Sequence, residues 1–254
     1  MTTYVLDNSF AQRKFTVTIV GCGGTGGFAA DGLCRILPDN AQLVLVDHDR
    51  VEERNLVRQN FLKEEIGSFK SEALSHRLAR KYGRPVAYTT SPIAMVNIEQ
   101  PGLIIGCVDS GPARRHIANK FKGIYQDRCW WIDAGNGDNF GQILIGNSEG
   151  SIRLSDEKEH RFHSLPLPTI QRPELLTQVP SSRNSCANIS DQGPTINQMM
   201  AVLVVEVVRR LIKGTCSWFQ LYLDLENGTL RPVLASPEIL KEMFHIKEEK
   251  HERN

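Results

Sequence analysis

A glycine-rich loop between an apolar strand and a helix constrains the fold of this 254-residue chain more than any other feature. The run Phe15 to Val20 has the length and composition of a short buried strand, and residues 21–27 read GCGGTGG. Residues 24–37 then show a helical spacing of apolar side chains, which Pro38 ends. The continuous apolar run Leu43 to Val46 follows, as expected for a central parallel strand. These segments predict a βαβ unit of about thirty residues.

The glycine loop predicts a nucleotide site. Gly21, Gly23 and Gly26 fit G-x-G-x-x-G, with Gly24 beside them, and glycine lets the backbone approach a phosphate or a ribose. Asp47 lies 21 residues beyond Gly26, at the end of the second strand, where a carboxylate can accept hydrogen bonds from ribose hydroxyls. Because NAD and ATP sites share these features, the loop and the acid indicate a nucleotide without deciding which.

Charged residues on the following loop distinguish the two nucleotides. Residues 48–69 form a polar connection that is longer than a structural turn needs. Arg58 and Lys70 flank its end, and Asp109 ends another strand at the same carboxyl edge of the sheet. Arginine and lysine bind phosphates, and a carboxylate beside phosphates is a natural Mg²⁺ ligand. Each charge alone would be taken as a solvated surface residue, but together they favour phosphoryl or nucleotidyl transfer over hydride transfer.

The rest of the pattern predicts a Rossmann-like α/β fold, with a doubly wound, mostly parallel sheet followed by a crossover loop, a helix and antiparallel strands. Apolar periodicity predicts helices at 70–82, 112–122 and 195–213. It predicts further strands at 86–90, 103–108, 130–132, 142–145, 219–225 and 229–234.

Residues 155–194 contain five prolines and show no clean periodicity, which predicts a long loop or lid. We expect a single adenylation-type domain over 1–254. It would have a nucleotide-binding core at about 15–146, a crossover loop at about 155–194, and a C-terminal helix and strands at about 195–245.

Composition restricts partners and location. The formal net charge of +1 gives no field that would attract nucleic acid or an anionic membrane. The apolar stretch Met199 to Val208 is interrupted by Glu206 and is too short to span a bilayer, and no secretory signal is visible near Met1. These features predict a cytoplasmic protein. No two of the six cysteines are closer than twelve positions, which argues against zinc, and the cytoplasm argues against disulfides.

Four motifs in this order resemble the ThiF/MoeB family, which includes the adenylation domains of ubiquitin-activating enzymes. They are G-x-G-G-x-G, D-x-D-x-V-x-x-x-N-L-x-R-Q, G-x-x-K-x-E-A and C-V-D-S…A-R. The resemblance runs from about Thr16 to Gly146 and resumes in the helix at 195–213. It implies that the chain binds ATP and Mg²⁺ and adenylates the C-terminal glycine carboxylate of a small ubiquitin-like or sulfur-carrier protein. It also implies release of pyrophosphate and a homodimer or pseudo-dimer with two ATP sites.

The same resemblance assigns roles to the motif residues. Asp47 would hold the ribose, and Asp49 belongs to the same nucleotide-binding motif. Asn55, Arg58 and Lys70 would hold and polarise the phosphates, while Gln59 supports that loop and Asp109 coordinates Mg²⁺.

Three departures from the family pattern affect these expectations. The zinc-binding C-x-x-C pairs of many members are missing, so we predict no zinc. The R-x-x-R-Q segment near the family's N-terminus is not recognisable before the first predicted strand, which leaves Arg13 as a weak candidate for a partner-supplied arginine. The length leaves no room for a separate ubiquitin-fold domain. In size the chain resembles compact bacterial ThiF-like proteins of PRTRC-type systems, which occur with conjugating-enzyme-like partners.

Cys186 is the candidate for a thiol step. It lies among polar residues with Arg183 nearby, in the crossover segment that holds the cysteine of thioester-forming activating enzymes. An inert thiol that only packs the segment is an equally good interpretation. The other five cysteines are interpreted as structural, with Cys216 a weaker second candidate.

Three other functions stay open from the sequence. A NAD-linked oxidoreductase would use the glycine loop and Asp47 but would leave Arg58, Lys70 and Asp109 unexplained. A tRNA-modifying dehydratase of the same family would also begin with adenylation, although the charge balance does not favour RNA. A binding scaffold that has lost catalysis is opposed by the complete set of charged residues.

Overall fold

An eight-stranded sheet with helices on both faces makes up most of the fold in the computed structural model, which describes residues 3–98, 101–122, 129–150, 152–154, 160–177 and 193–244. The strands are β1 (Val5–Leu6), β2 (Phe15–Val20), β3 (Ala41–Val46), β4 (Val86–Thr89), β5 (Gly102–Gly106), β6 (Cys129–Asn136), β7 (Phe140–Gly146), β8 (Arg153–Leu154), β9 (Arg161–Ser164), β10 (Trp218–Asp224) and β11 (Thr229–Leu234). The helices are α1 (Gly24–Ile36), α2 (Lys70–Tyr82), α3 (Gly111–Asn119), α4 (Pro168–Gln171), α5 (Pro194–Lys213) and α6 (Pro237–Phe244).

The strand order in the large sheet is β11-β10-β7-β6-β5-β2-β3-β4. The five strands from β6 to β4 in this order are parallel, whereas β7, β10 and β11 are antiparallel to their neighbours. β1, β9 and β8 form a separate three-stranded sheet. The predicted fold class, a mostly parallel Rossmann-like sheet with antiparallel strands at the C-terminal end, is confirmed.

Two apolar layers show why the parallel strands lack a polar face. In β5, Leu103 and Ile105 face a core that includes residues of α1 and α5, such as Leu33 and Val204. Ile104, between them, faces a second core with Ile117 of α3. Successive side chains of a strand point to opposite faces, so a strand covered by helices on both sides needs an unbroken apolar run.

The helix ends match their sequence signals. α3 begins after Ser110, whose Oγ accepts a hydrogen bond from the Ala113 N–H at 3.3 Å. α5 ends at Gly214, which has φ of +66°, a conformation that glycine adopts without the steric cost of a Cβ. α1 and α5 pack side by side against the same core of the sheet.

The prediction of an irregular loop over 155–194 is wrong for residues 160–177. That part contains β9, α4 and a 3₁₀ turn at Pro173–Leu176. β9 pairs in parallel with β1, and Phe162 is completely buried in the main core. The first strand of the chain is therefore β1, which precedes the first predicted strand, Phe15–Val20.

Candidate functional site

The glycine loop joins β2 to α1 at the carboxyl edge of the parallel strands. Gly21 has φ of +91°, and a Cβ there would collide with the carbonyl group of Cys107 at the end of β5. A Cβ on Gly26 would likewise collide with the Gly21 carbonyl oxygen. α1 begins after Gly23, and no side chain caps its first N–H groups. The uncapped, positively polarised helix end fits a phosphate or a ribose oxygen.

Asp47 lies next to this loop, immediately after β3. Its Oδ2 accepts a hydrogen bond from the Cys22 N–H at 2.6 Å, and its Oδ1 accepts one from the Asp49 N–H at 2.8 Å. Burial raises the pKa of the Asp47 carboxyl, while nearby Lys70 and the two backbone N–H groups act in the opposite direction. The carboxylate is therefore held in a fixed direction, with further lone pairs that can accept ribose hydroxyls.

Lys70 and Asp49 form an ion pair at the start of α2. The Lys70 Nζ lies 3.2 Å from Asp49 Oδ2, and the Lys70 side chain is 9% exposed. The Lys70 N–H also donates to the Asp49 carbonyl oxygen at 2.8 Å, which closes the two ends of the 48–69 loop. Both residues were predicted to bind nucleotide, but their mutual pairing was not. A buried lysine held by one carboxylate is placed to receive a phosphate as a second anion.

Hydrogen bonds and an ion pair hold the 48–69 connection in place at several points along its length. Asn55 is buried, and its Oδ1 accepts a hydrogen bond from the Glu52 N–H at 2.9 Å. Asn60 Nδ2 donates to the Gly27 carbonyl oxygen at 3.4 Å, and Arg77 of α2 pairs with Glu65 at 3.1 Å. The Asn55 side-chain oxygen thus stabilises the conformation of the loop. The N–H₂ group of the same amide remains a donor that suits a phosphate oxygen.

Arg58 and Gln59 follow on the same loop and lie next to the glycine loop. Arg58 is half-buried, and burial, with a smaller contribution from Arg54, lowers the pKa of its guanidinium, while Asp109 opposes this. The Gln59 amide lies against Gly23, and its buried Oε1 has no hydrogen-bond partner among the described residues. A buried acceptor without a partner is costly, which suggests that a ligand supplies the missing donor.

Asp109 lies after β5, one residue before the cap of α3, and is exposed. Asp109 follows a parallel strand at the carboxyl edge of the sheet, and its negative charge raises the pKa of Arg58 against the effect of burial. Below it, Arg114 of α3 forms a buried ion pair with Asp133 of β6, with Nε 3.1 Å from both carboxylate oxygens. An exposed carboxylate beside a phosphate site has the donor chemistry that Mg²⁺ prefers, so Asp109 fits the predicted metal role.

Two asparagines at this edge were not predicted from the sequence. Asn136, at the end of β6, and Asn197, in the first turn of α5, both hydrogen-bond to each other and to Thr25 of α1. Asn197 is 1% exposed. Asn197 lies among the polar residues Thr195 and Gln198 at the start of α5, so no local pattern distinguishes it, and its contact with Thr25 arises only from the packing of α5 on α1.

Comparison with a protein-family model identifies the family of this chain. The family model described as "ThiF family" matches residues 10–238. The chain belongs to the ThiF family.

Several curated proteins that resemble this chain are called ubiquitin-like modifier-activating enzyme 5. The protein from Xenopus laevis is 24% identical over 242 residues, covering 88% of this chain and 57% of the relative. The protein from Rattus norvegicus is 25% identical over 234 residues, covering 85% of this chain and 54% of the relative. This ThiF-family chain thus spans about half the length of the curated relatives it matches.

Solved structures show the same fold. E. coli MccB with ATP superposes with a TM-score of 0.62 at 17% identity, covering 90% of this chain and 67% of that one. PaaA superposes with a TM-score of 0.61 at 19% identity, covering 89% and 66%. At this level of identity the likeness establishes the Rossmann-like architecture of the ThiF-family chain and leaves its substrate open.

The five described cysteines of the ThiF-family chain are poorly suited to nucleophilic attack. Burial raises the pKa of all of them, to about 11 for Cys34 and to about 12 for Cys107, Cys129 and Cys216, and well above the ordinary value for Cys22. Cys216 is completely buried, so its candidacy as a second acceptor is wrong. Cys186 lies outside the described residues.

One group of neighbouring side chains after β3 has the composition of a metal site. Asp47, His48 and Asp49 have ligand atoms within 4.8 Å of one another, but both Asp47 oxygens already accept backbone N–H groups and Asp49 pairs with Lys70. We therefore assign no ion to that group.

No helix within the described ranges has the length and apolarity needed to cross a bilayer.

Proposed function

We propose that this chain uses ATP to adenylate the C-terminal glycine carboxylate of a small ubiquitin-like or sulfur-carrier protein, and that it releases pyrophosphate. The observation that carries the proposal is the convergence of Asp47, Arg58, Lys70 and Asp109 around the uncapped N-terminus of α1. Membership of the ThiF family supports it, as do relatives called ubiquitin-like modifier-activating enzymes and the solved complexes of MccB with ATP and with MccA.

The proposed reaction explains why two cations are needed. A carboxylate oxygen of the carrier attacks the α-phosphorus of ATP, and the bond from that phosphorus to the bridging oxygen breaks. Pyrophosphate leaves with the electron pair, which adds negative charge at the β-phosphate side. Arg58 and the buried Lys70 stabilise this charge electrostatically, and a fixed carrier tail supplies proximity. Asp109 would hold Mg²⁺, which neutralises part of the phosphate charge when bound.

A second step at Cys186 extends the proposal. The Cys186 thiolate attacks the acyl carbon of the carrier adenylate, the bond from that carbon to the AMP oxygen breaks, and AMP leaves. The raised pKa values of the five described cysteines support Cys186 as the acceptor by making the others poor nucleophiles. We further propose a cytoplasmic homodimer and a conjugating-enzyme-like acceptor for the carrier.

ATP–pyrophosphate exchange tests the first step. With the purified chain, Mg²⁺ and a small glycine-ended carrier, exchange should depend on the carrier's terminal carboxylate. Arg58→Ala and Asp109→Ala should each lower the exchange rate by roughly a hundredfold, because each removes charge stabilisation of the departing pyrophosphate.

Two exposed residues outside the site provide matched controls for these variants. Arg80→Ala, near the end of α2, and Asp39→Ala, in the turn before β3, should retain wild-type exchange. Full activity of Arg58→Ala or of Asp109→Ala would contradict the role assigned to that residue. Exchange without the carrier would contradict the proposed substrate.

The thiol step has its own test. Cys186→Ala should retain pyrophosphate exchange but lose the reductant-sensitive adduct between the chain and the carrier, observed by non-reducing electrophoresis. Cys216→Ala, which removes a buried thiol, should keep the adduct. If the adduct persists in Cys186→Ala, Cys186 is not the acceptor.

A further inference from the structure

Asn197 connects three segments that surround the nucleotide site. Its Oδ1 accepts hydrogen bonds from Asn136 Nδ2 at 3.2 Å and from Thr25 Oγ1 at 3.4 Å. Its Nδ2 donates to the carbonyl oxygen of Arg58 at 3.3 Å and lies 3.5 Å from the carbonyl oxygen of Gly193. One side chain of α5 therefore contacts the end of β6, the first turn of α1 and the loop that bears Arg58.

The approach of Asn197 to α1 depends on a glycine. A Cβ added to Gly24 would overlap the Asn197 side-chain amide. Gly24, the third glycine of the G-x-G-G-x-G motif, thus makes room for a residue of α5, in addition to any ligand. A polar side chain in such close contact is fixed in one conformation, since the amide is 1% exposed and has no room to rotate.

The orientation of the Asn197 amide follows from its partners. The N–H₂ group of Asn136 faces one end of the amide, which must therefore be the oxygen, and the Thr25 hydroxyl, which can donate or accept, lies at the same end. The N–H₂ end then faces two carbonyl oxygens, including that of Arg58. The network therefore determines which end of the amide meets the Arg58 loop.

The contact with Arg58 acts on its backbone. The Arg58 N–H donates to the Asn55 carbonyl oxygen at 3.2 Å, and the Arg58 carbonyl oxygen accepts from Asn197. With both sides of the residue held, the direction in which its side chain leaves the loop is fixed. A guanidinium fixed before the nucleotide arrives loses less conformational entropy on binding.

We propose that Asn197 is a positioning residue for Arg58, which it holds in the orientation that binds the phosphates of ATP. The inference rests on the proposed function for the assignment of phosphates to Arg58. It adds a residue of α5 to a site that the motifs place on the loops after β2, β3 and β5 and on the first turns of α1 and α2.

The affinities of a non-hydrolysable ATP analogue and of adenosine, measured by calorimetry with Mg²⁺, test this role. Asn197→Ala should weaken the analogue by about five- to tenfold, as expected for the loss of one buried hydrogen bond and its network. Adenosine affinity should stay within about twofold, because Arg58 does not contact a nucleoside without phosphates. Asn197→Asp, which keeps the acceptor oxygen and removes the donor, should show the same selective loss.

A double-mutant cycle separates positioning from a purely structural role. If Asn197 acts through Arg58, the variant Arg58→Ala with Asn197→Ala should bind the analogue no more weakly than Arg58→Ala alone. If the losses of analogue affinity in the two single variants multiply in the double variant, the proposal is overturned. An equal loss of adenosine and analogue affinity in Asn197→Ala would also overturn it. Gln171→Ala is the matched control, since it removes another partly buried amide, which donates to Ile145 and Pro166 away from the site. It should leave both affinities unchanged.

The same experiments also test whether the variants fold and whether the wild-type chain binds the ATP analogue. Asn197→Ser is used if the alanine variant does not fold, and failure of both to fold by circular dichroism would make Asn197 a folding residue and overturn the proposal. A wild-type chain that binds no ATP analogue would overturn the proposed function itself. A wild-type chain that binds it, with an Asn197→Ala variant that binds equally well, would overturn the positioning role alone.

Discussion

At the scale of single residues, Asp47 is the side chain with the most distinctive electrostatics. Burial raises its pKa above the ordinary value, so protonation begins at a higher pH than for a solvated carboxyl. In the unliganded protein, protonation favours the folded state, and that gain in unfolding free energy is lost as the pH rises through the folded pKa. The affinity for a nucleotide changes with pH in the opposite direction, because the carboxylate must be ionised to accept hydrogen bonds from two ribose hydroxyls.

We therefore expect ATP-analogue affinity to fall as the pH is lowered from neutral toward the ordinary pKa of an aspartate carboxyl, with the fall beginning at a higher pH than it would for a solvated carboxyl. Asp47→Asn should bind about tenfold more weakly at neutral pH, because it loses charged hydrogen bonds. It should also show a smaller pH dependence than the wild type. Calorimetry across this pH range measures both effects. An Asp47→Asn variant with the same pH profile as the wild type would show that another group titrates.

The site residues also show what a sequence can and cannot predict at this scale. Motif spacing brought Asp47, Arg58 and Lys70 to one edge because parallel strands end there. It could not predict that Lys70 would pair with Asp49, since both were expected to serve the ligand. Nor could it predict Asn197, whose partners lie on α1, β6 and the Arg58 loop. Such contacts depend on tertiary packing and have no local pattern.

At the scale of elements, strands and helices with strong apolar periodicity were predicted closely. α2 was predicted at 70–82 and is observed at Lys70–Tyr82, and α5 was predicted at 195–213 and is observed at Pro194–Lys213. In both helices the apolar spacing and the glycine at the C-terminal end indicate the same boundaries. The local sequence therefore favours the helix that the packed fold requires.

β9 shows why the segment at 155–194 was misread. This strand has four residues, and polar Arg161 and His163 alternate with the buried Phe162 and Ser164. Its parallel partner β1 lies at the other end of the chain, so the pairing is invisible to a local window. Two of the five prolines that suggested a loop, Pro168 and Pro173, start α4 and the 3₁₀ turn that follows it, where the missing N–H costs nothing. Short strands with distant partners carry too little periodicity for sequence prediction.

At the scale of the whole molecule, the proposed nucleotide site lies where four segments meet: the loops after β2, β3 and β5, and the start of α5. Ligand binding at such a junction should therefore stabilise the fold as a whole, since unfolding any of these segments disrupts the site. This property allows the two nucleotide hypotheses to be compared without knowledge of the carrier protein.

ATP with Mg²⁺ should raise the melting temperature of the chain more than NAD does at the same concentration. At a hundred times Kd, bound ligand adds about 2.7 kcal/mol to the unfolding free energy, which corresponds to a shift of about 5–10 °C for a chain of this size. Arg58 and Lys70 provide cations for a triphosphate, whereas the two phosphates of NAD need fewer. Arg58→Ala should reduce the ATP shift and leave any NAD shift unchanged, and scanning fluorimetry measures all four values. A larger shift with NAD, unaffected by Arg58→Ala, would favour the oxidoreductase hypothesis, because the cations would then have no role in binding.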